Sequence, residues 1–193
     1  MGYSGSVMKI LPLAIMATLT MTPAAFSEKA NLLSAKVQKN IIVPKIEPSK
    51  VDYKGFRLLT EEVRDYRKSR MVTLDQFNAM SRDKDTIILD TRSASAFKGL
   101  HIKGAVHMNF SDFTASKLAK AIPKKNTRIL IYCNNNFKDN KRFFEQKGMP
   151  LALNIPTFIN LYGYGYKNVY ELSENLSVKD KRLKLAGTDA PKG

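Results

Sequence analysis

Short apolar runs separated by polar segments dominate the chain after residue 70. Residues 86–90 (TIILD) and 128–132 (RILIY) are apolar on both faces and rich in β-branched side chains. Runs of this kind predict strands buried on both sides, as in parallel sheets. Residues 105–108 and 167–172 predict two further strands.

Helical patterns lie between these strands. Thr73 and Gln76 have the spacing of a capping box, which predicts a helix to about residue 80 that buries Leu74 and Phe77. Further helices are predicted at residues 58–68, 93–97, 111–121 and 156–162. The alternation of strands and helices predicts an α/β fold, a single domain with a central, mostly parallel sheet flanked by helices.

The first 27 residues predict a secretory signal peptide. Lys9 is the only charged residue among them, residues 10–26 are apolar or small, and cleavage is expected after Ser27. Pro12 and Pro23 interrupt the apolar run, which argues against a membrane span. We therefore expect a periplasmic or secreted protein that has no membrane contact after cleavage.

The remaining chain divides by composition into an N-terminal extension at 28–55, a domain at 56–176 and a basic tail at 177–193 that is expected to fray. The formal net charge is +15, from 32 Lys and Arg against 17 Asp and Glu. Because the basic residues are scattered and form no nucleic-acid motif, we expect no nucleic-acid partner. A positive field instead favours small anions.

Cys133 is the only cysteine, so no internal disulfide can form. It follows the predicted strand at 128–132 and precedes a polar run, a position in which α/β folds present nucleophiles. An inert buried thiol is the alternative interpretation. With two histidines and one cysteine at wide spacing, neither a metal site nor a cofactor is expected.

Four blocks, in order, resemble a rhodanese-type sulfurtransferase domain: residues 90–92, 97–109, 129–133 and 165–172. The resemblance implies a rhodanese-like fold and a two-step reaction. In the first step the Cys133 thiolate takes the outer sulfur of a small anionic donor such as thiosulfate and expels sulfite. The Cys133 persulfide then passes this sulfur to a thiol or to cyanide.

The same resemblance implies that Cys133 is catalytic and that a substrate-binding loop follows it, composed of Asn134, Asn135, Asn136, Phe137 and Lys138. In this family the loop places a basic residue where Lys138 stands. It usually carries Arg and Gly where this chain has Asn134 and Asn136. Main-chain N–H groups of such a loop favour an anionic sulfur, although an asparagine run is also typical of a solvated turn. Residues 139–153 form an insertion before the next helix, as an extended loop or a separate flap.

Asp90, Arg92 and His101 are expected to support the site. Asp90 and Arg92 can touch a substrate, but such a pair more often closes a strand end through hydrogen bonds and an ion pair. His101 suggests a Cys–His pair, whereas the resemblance implies a structural residue that ties its loop.

Two other functions compete with sulfur transfer. A non-catalytic rhodanese-like module would bind a partner or sense oxidants through the thiol. A phosphatase or arsenate reductase would need Arg six residues after Cys133, where Asp139 stands instead and would repel a phosphate.

Overall fold

The computed structural model describes residues 48–191. The predicted signal peptide, its cleavage site and residues 28–47 of the predicted extension lie outside the described residues. Within residues 48–191, no helix has both the length and the apolar character needed to cross a membrane.

Within the described residues, seven strands form a five-stranded and a two-stranded sheet. In chain order they are β1 (Met71–Val72), β2 (Thr86–Asp90), β3 (His101–Ile102), β4 (Ala105–His107), β5 (Arg128–Tyr132), β6 (Val169–Leu172) and β7 (Leu185–Ala186). The larger sheet has the order β1-β6-β5-β2-β4 and all its pairings are parallel. This confirms the predicted fold class.

Helices and loops cover both faces of the sheet. The helices are α1 (Tyr53–Lys68), α2 (Leu74–Met80), α3 (Ala94–Gly99), α4 (Ala115–Ala121) and α5 (Asn154–Gly163). Because side chains alternate along β5, Ile129 and Ile131 pack with α1, α4 and α5, whereas Leu130 and Tyr132 pack with α2 on the opposite face. Both faces of β5 are therefore buried, as its unbroken apolar run predicts.

Local capping explains where several helices begin. The capping box at α2 is present, with the Gln76 backbone N–H donating to Thr73 Oγ1 and the Thr73 N–H donating to Gln76 Oε1. Asp52 caps α1, so that helix begins five residues earlier than predicted. The helix predicted over 111–121 is instead a short 3₁₀ turn followed by α4, because Thr114 caps a new helix.

The expectation that the tail frays is wrong for its described part. Strand β7 pairs antiparallel with β3, and Leu183 and Leu185 pack against the core. The Lys103 N–H donates to the Lys184 carbonyl at 2.7 Å. Partial burial of these leucines and the paired backbone hold the tail in place, and neither feature is visible in its basic composition.

Candidate active site

Cys133 lies immediately after β5, the middle strand of the parallel sheet. Its side chain is 1% exposed, and the 3₁₀ turn Asn134–Asn136 follows it. The carboxyl ends of parallel strands are where open α/β sheets bind ligands. The position predicted from the sequence is thus the position observed.

The backbone N–H groups of Asn154, Asn135 and Leu153 lie close enough to the Cys133 thiol to lower its pKa. Asn154 is the first residue of α5 and Leu153 is its N-cap, so the sulfur lies at the positive end of that helix, which favours an anion. Burial nevertheless raises the pKa of the thiol, and the Glu171 carboxylate raises it further. The amides reduce this effect without cancelling it, so the thiol is protonated at neutral pH.

A buried polar network surrounds the sulfur. Asn136 Oδ1 accepts from the Cys133 N–H at 2.8 Å and from Asn154 Nδ2 at 3.1 Å. Asn154 Nδ2 also donates to Glu171 Oε1 at 3.2 Å. Arg67 closes the network by donating from Nε and Nη2 to the two Glu171 oxygens, both at 2.6 Å. These contacts fix the turn, the start of α5 and strand β6 relative to one another.

A cavity of about 430 Å³ reaches Cys133. Its charged lining residues are Arg67, Lys147, Glu171 and Glu174, and its other lining residues include Asn135, Asn136, Asn154, Met71 and Met149. Pockets of this volume are in the range that holds small organic molecules. The sulfur is therefore buried but lies next to a space that a small ligand can occupy.

The asparagine run holds the insertion against the site. Asn135 Nδ2 donates to the Lys147 carbonyl at 2.7 Å and its Oδ1 accepts from the Lys147 N–H at 3.0 Å. Asn134 Nδ2 donates to the Glu145 carbonyl at 2.7 Å. Phe144 is buried with its ring 4.0 Å from that of Phe137. The insertion at 139–153 is therefore anchored to the domain and does not form a separate flap.

The predicted loop separates into two parts. Cys133, Asn135 and Asn136 line the cavity, and the remaining three residues do not. Phe137 is fully buried in the core, and the exposed Lys138 lines a different hollow of about 210 Å³. The reason is that Phe137 forms a bridge with Leu176, which carries the chain away from the sulfur.

Asp90 and Arg92 form a buried ion pair at the end of β2 and do not line the Cys133 cavity. Arg92 Nη2 donates to Asp90 Oδ2 at 2.6 Å and to the Leu100 carbonyl at 2.8 Å, and its Nη1 donates to the Phe143 carbonyl at 2.8 Å. The Tyr132 hydroxyl also donates to Asp90. This pair therefore closes the end of β2 through hydrogen bonds and an ion pair. Of the two interpretations of the sequence, the structure favours this one over contact with a substrate.

His101 holds its own loop in place. Its Nδ1 lies 2.6 Å from the Phe97 carbonyl oxygen, and its ring stacks on that of Phe97 at 3.9 Å. It does not line the cavity. Residues 48–191 contain no cluster of three or more His, Cys, Asp or Glu side chains that could bind a metal ion.

Arg67 and Glu171 belong to the site but were not predicted from the sequence. Glu171 is the one charged residue within β6 and is 5% exposed. A charge inside an apolar strand indicates a buried partner, and this is the signal that could have found it. The sequence around Arg67 does not indicate its role, because Arg67 is one of many charged residues on its helix and its partner Glu171 is 104 residues away.

Fold and site together define a class: a five-stranded parallel α/β domain with one thiol at the carboxyl end of its middle strand. The family model for the rhodanese-like domain matches residues 73–177, which is more than half of the chain. The chain belongs to the rhodanese-like domain family.

Solved structures with a similar fold come from several bacteria. The BH2092 protein from Bacillus halodurans is 17% identical, with 67% of this chain and 87% of that chain covered and a TM-score of 0.47. The Rhodanese_3 like domain of the Alr3790 protein from Anabaena sp is 21% identical (coverage 53% and 92%, TM-score 0.38). A rhodanese with anions from E. coli is 19% identical (coverage 53% and 98%, TM-score 0.36). No curated protein sequence matches the chain.

Proposed function

We propose that the protein is a sulfurtransferase that carries sulfur as a persulfide on Cys133. The observation that carries this proposal is the position of Cys133, which lines a 430 Å³ cavity next to the backbone N–H groups of Asn135, Leu153 and Asn154 at the start of α5. Backbone N–H groups at a helix N-terminus stabilise an anion such as a thiolate or persulfide. Family membership is consistent with this chemistry.

The reaction proceeds in two displacements. After the thiol has lost its proton to water, the Cys133 thiolate attacks the outer sulfur of a thiosulfate-like donor. A new S–S bond forms, and the donor's S–S bond breaks with its electron pair leaving on sulfite. An acceptor thiolate or cyanide then attacks the terminal persulfide sulfur, and the Cys133 thiolate leaves with the bonding pair. Covalent catalysis of this kind replaces one transfer by two easier steps. The same amides stabilise the thiolate that forms for the first displacement and the persulfide that follows it.

The predicted leader supports an activity outside the cytoplasm. We propose that the chain acts in the periplasm or after secretion, on a small anionic donor and on a thiol or cyanide as acceptor. The net charge of +15 supports the choice of an anionic donor, because a positive field raises the local concentration of anions.

A second candidate function is a non-catalytic module that binds a partner or senses oxidants. The observation in its favour is the burial of the thiol, which is 1% exposed and has a raised pKa. In addition, the turn after Cys133 holds asparagines and no cation. A buried protonated thiol reacts slowly.

Intact mass after incubation with thiosulfate separates the two functions. A sulfurtransferase gains one sulfur atom, the gain is absent in Cys133→Ser, and added cyanide removes the sulfur as thiocyanate. The sulfurtransferase proposal fails if neither thiosulfate nor an organic persulfide donor yields an adduct while iodoacetamide still modifies Cys133. Because the chain has one cysteine, every thiol adduct reports on this position.

A further inference from the structure

We propose that Arg67 is a positioning residue for the reactive sulfur: it holds and neutralises the Glu171 carboxylate beside Cys133. Arg67 lies in the last turn of α1 and thus outside the family-matched residues 73–177. The inference rests on the proposed function for the reaction it serves, but its test measures the thiol directly.

The contact between the two side chains is bidentate and largely buried. Both Arg67–Glu171 distances are 2.6 Å, and the side chains are 28% and 6% exposed. Two parallel charge-assisted hydrogen bonds of this kind fix orientation as well as charge. Glu171 is therefore held in one place by a helix that the family's sequence blocks do not include.

Glu171 faces the site because of the sheet register. It pairs with Ile131 across β5 and β6, and Cys133 lies two residues after Ile131, just beyond the end of β5. A carboxylate at this position opposes thiolate formation, and without a counter-ion it would also repel an anionic donor from the cavity. The guanidinium of Arg67 opposes both effects while leaving Glu171 in place to bind Asn154.

The other charged groups around the cavity cannot take over this role. Glu174 accepts from the Leu74 N–H at 2.6 Å and lies 3.5 Å from Arg182. Lys147 is exposed, and its backbone is tied to Asn135. Neither α5 nor the turn Asn134–Asn136 contains a charged residue. The Arg67–Glu171 pair is thus the charged element coupled to Asn154, whose N–H lies close to the thiol.

Alkylation of the single cysteine tests this role. We expect Arg67→Gln to shift the pH profile of iodoacetamide labelling upward by about one pH unit, which is about tenfold slower labelling at pH 8. Iodoacetate, an anion of nearly the same size, should be slowed more than the neutral iodoacetamide. Arg57→Gln is the matched control, because Arg57 lies on the same helix and pairs with Glu61 at the exposed surface. It should leave both rates within twofold of the wild-type rates.

A double-mutant cycle on Arg67 and Glu171 separates an electrostatic effect on the thiol from a loss of structure. Glu171→Gln should accelerate iodoacetamide labelling, and Arg67→Gln with Glu171→Gln should return the profile to within about twofold of wild type, because no net charge remains. The inference is overturned if folded Arg67→Gln keeps the wild-type profile and iodoacetate-to-iodoacetamide ratio. If Arg67→Gln does not fold, Glu171→Gln decides, and labelling no faster than wild type overturns the inference. Absence of a persulfide in the wild-type protein would instead refute only the proposed sulfur transfer.

Discussion

Replacement of Arg92 by methionine is expected to destabilise the domain more than any surface ion-pair substitution. Arg92 is 3% exposed and Asp90 is fully buried. The guanidinium bonds to the Asp90 carboxylate and to the carbonyls of Leu100 and Phe143. It therefore joins the end of β2 to the start of β3 and to the insertion at 139–153.

The magnitude follows from what the substitution leaves behind. Methionine fills most of the volume, but Asp90 becomes a buried charge without its counter-ion. Breaking a buried ion pair in this way costs about 3–5 kcal/mol. For a domain of this size the corresponding decrease in Tm is about 6–20 °C.

Urea unfolding followed by far-ultraviolet circular dichroism measures the loss, since the chain has no tryptophan. Arg57→Met is the control, because its pair with Glu61 is more than half exposed and such pairs contribute about 0–1 kcal/mol. Arg92→Met with Asp90→Asn should be more stable than Arg92→Met alone, since no unpaired charge remains. The reasoning is refuted if Arg92→Met loses less than about 1 kcal/mol, or if the double variant is no more stable than Arg92→Met.

Three further predictions concern the site and its supports. Tyr132→Phe removes the hydroxyl that donates to Asp90 and should lose about 1–3 kcal/mol of unfolding free energy in urea; an unchanged midpoint contradicts this. Asn135→Ala removes both hydrogen bonds to the Lys147 backbone, so the Lys147 amide should exchange hydrogen at least about tenfold faster, and an unchanged rate would show that other contacts hold the insertion. Because burial raises the pKa of Cys133, iodoacetamide labelling should still increase at pH 9, and a plateau below pH 8 would be inconsistent with a buried thiol. The stability linked to this thiol is present below its ordinary pKa and decreases as pH rises above it, since the folded state holds the proton more tightly.

The parallel sheet was predictable because its signals are local. Residues 86–90 and 128–132 are apolar on both faces, and only a strand covered on both sides places all of those side chains in a core. The start of α2 was likewise predictable, since the Thr73 and Gln76 contacts lie within one turn.

The order of the tail was not predictable from its own residues. Strand β7 consists of Leu185–Ala186 and exists because β3 offers it a partner. The two strands are about 80 residues apart in sequence, and two-residue strands carry no periodicity. Composition alone therefore indicated a solvated basic segment.

In the candidate site, too, local features were predictable and features that depend on distant contacts were not. The position of Cys133 at a strand end follows from the sequence, as does the turn that begins at Asn134. The direction in which the chain leaves that turn does not follow from the sequence, because it depends on the bridge from Phe137 to Leu176. For this reason Lys138 matches the family's loop by position but lies outside the cavity.

Helix α1 and strand β1 precede residue 73, and β7 follows residue 177, so parts of the sheets and of the thiol's surroundings come from beyond the matched family region. A chimera that received only residues 73–177 of this chain would lack Arg67, the partner of Glu171. It would also lack β7, the partner of β3. A transplanted segment that keeps both contacts would therefore need to extend from residue 53 to residue 186.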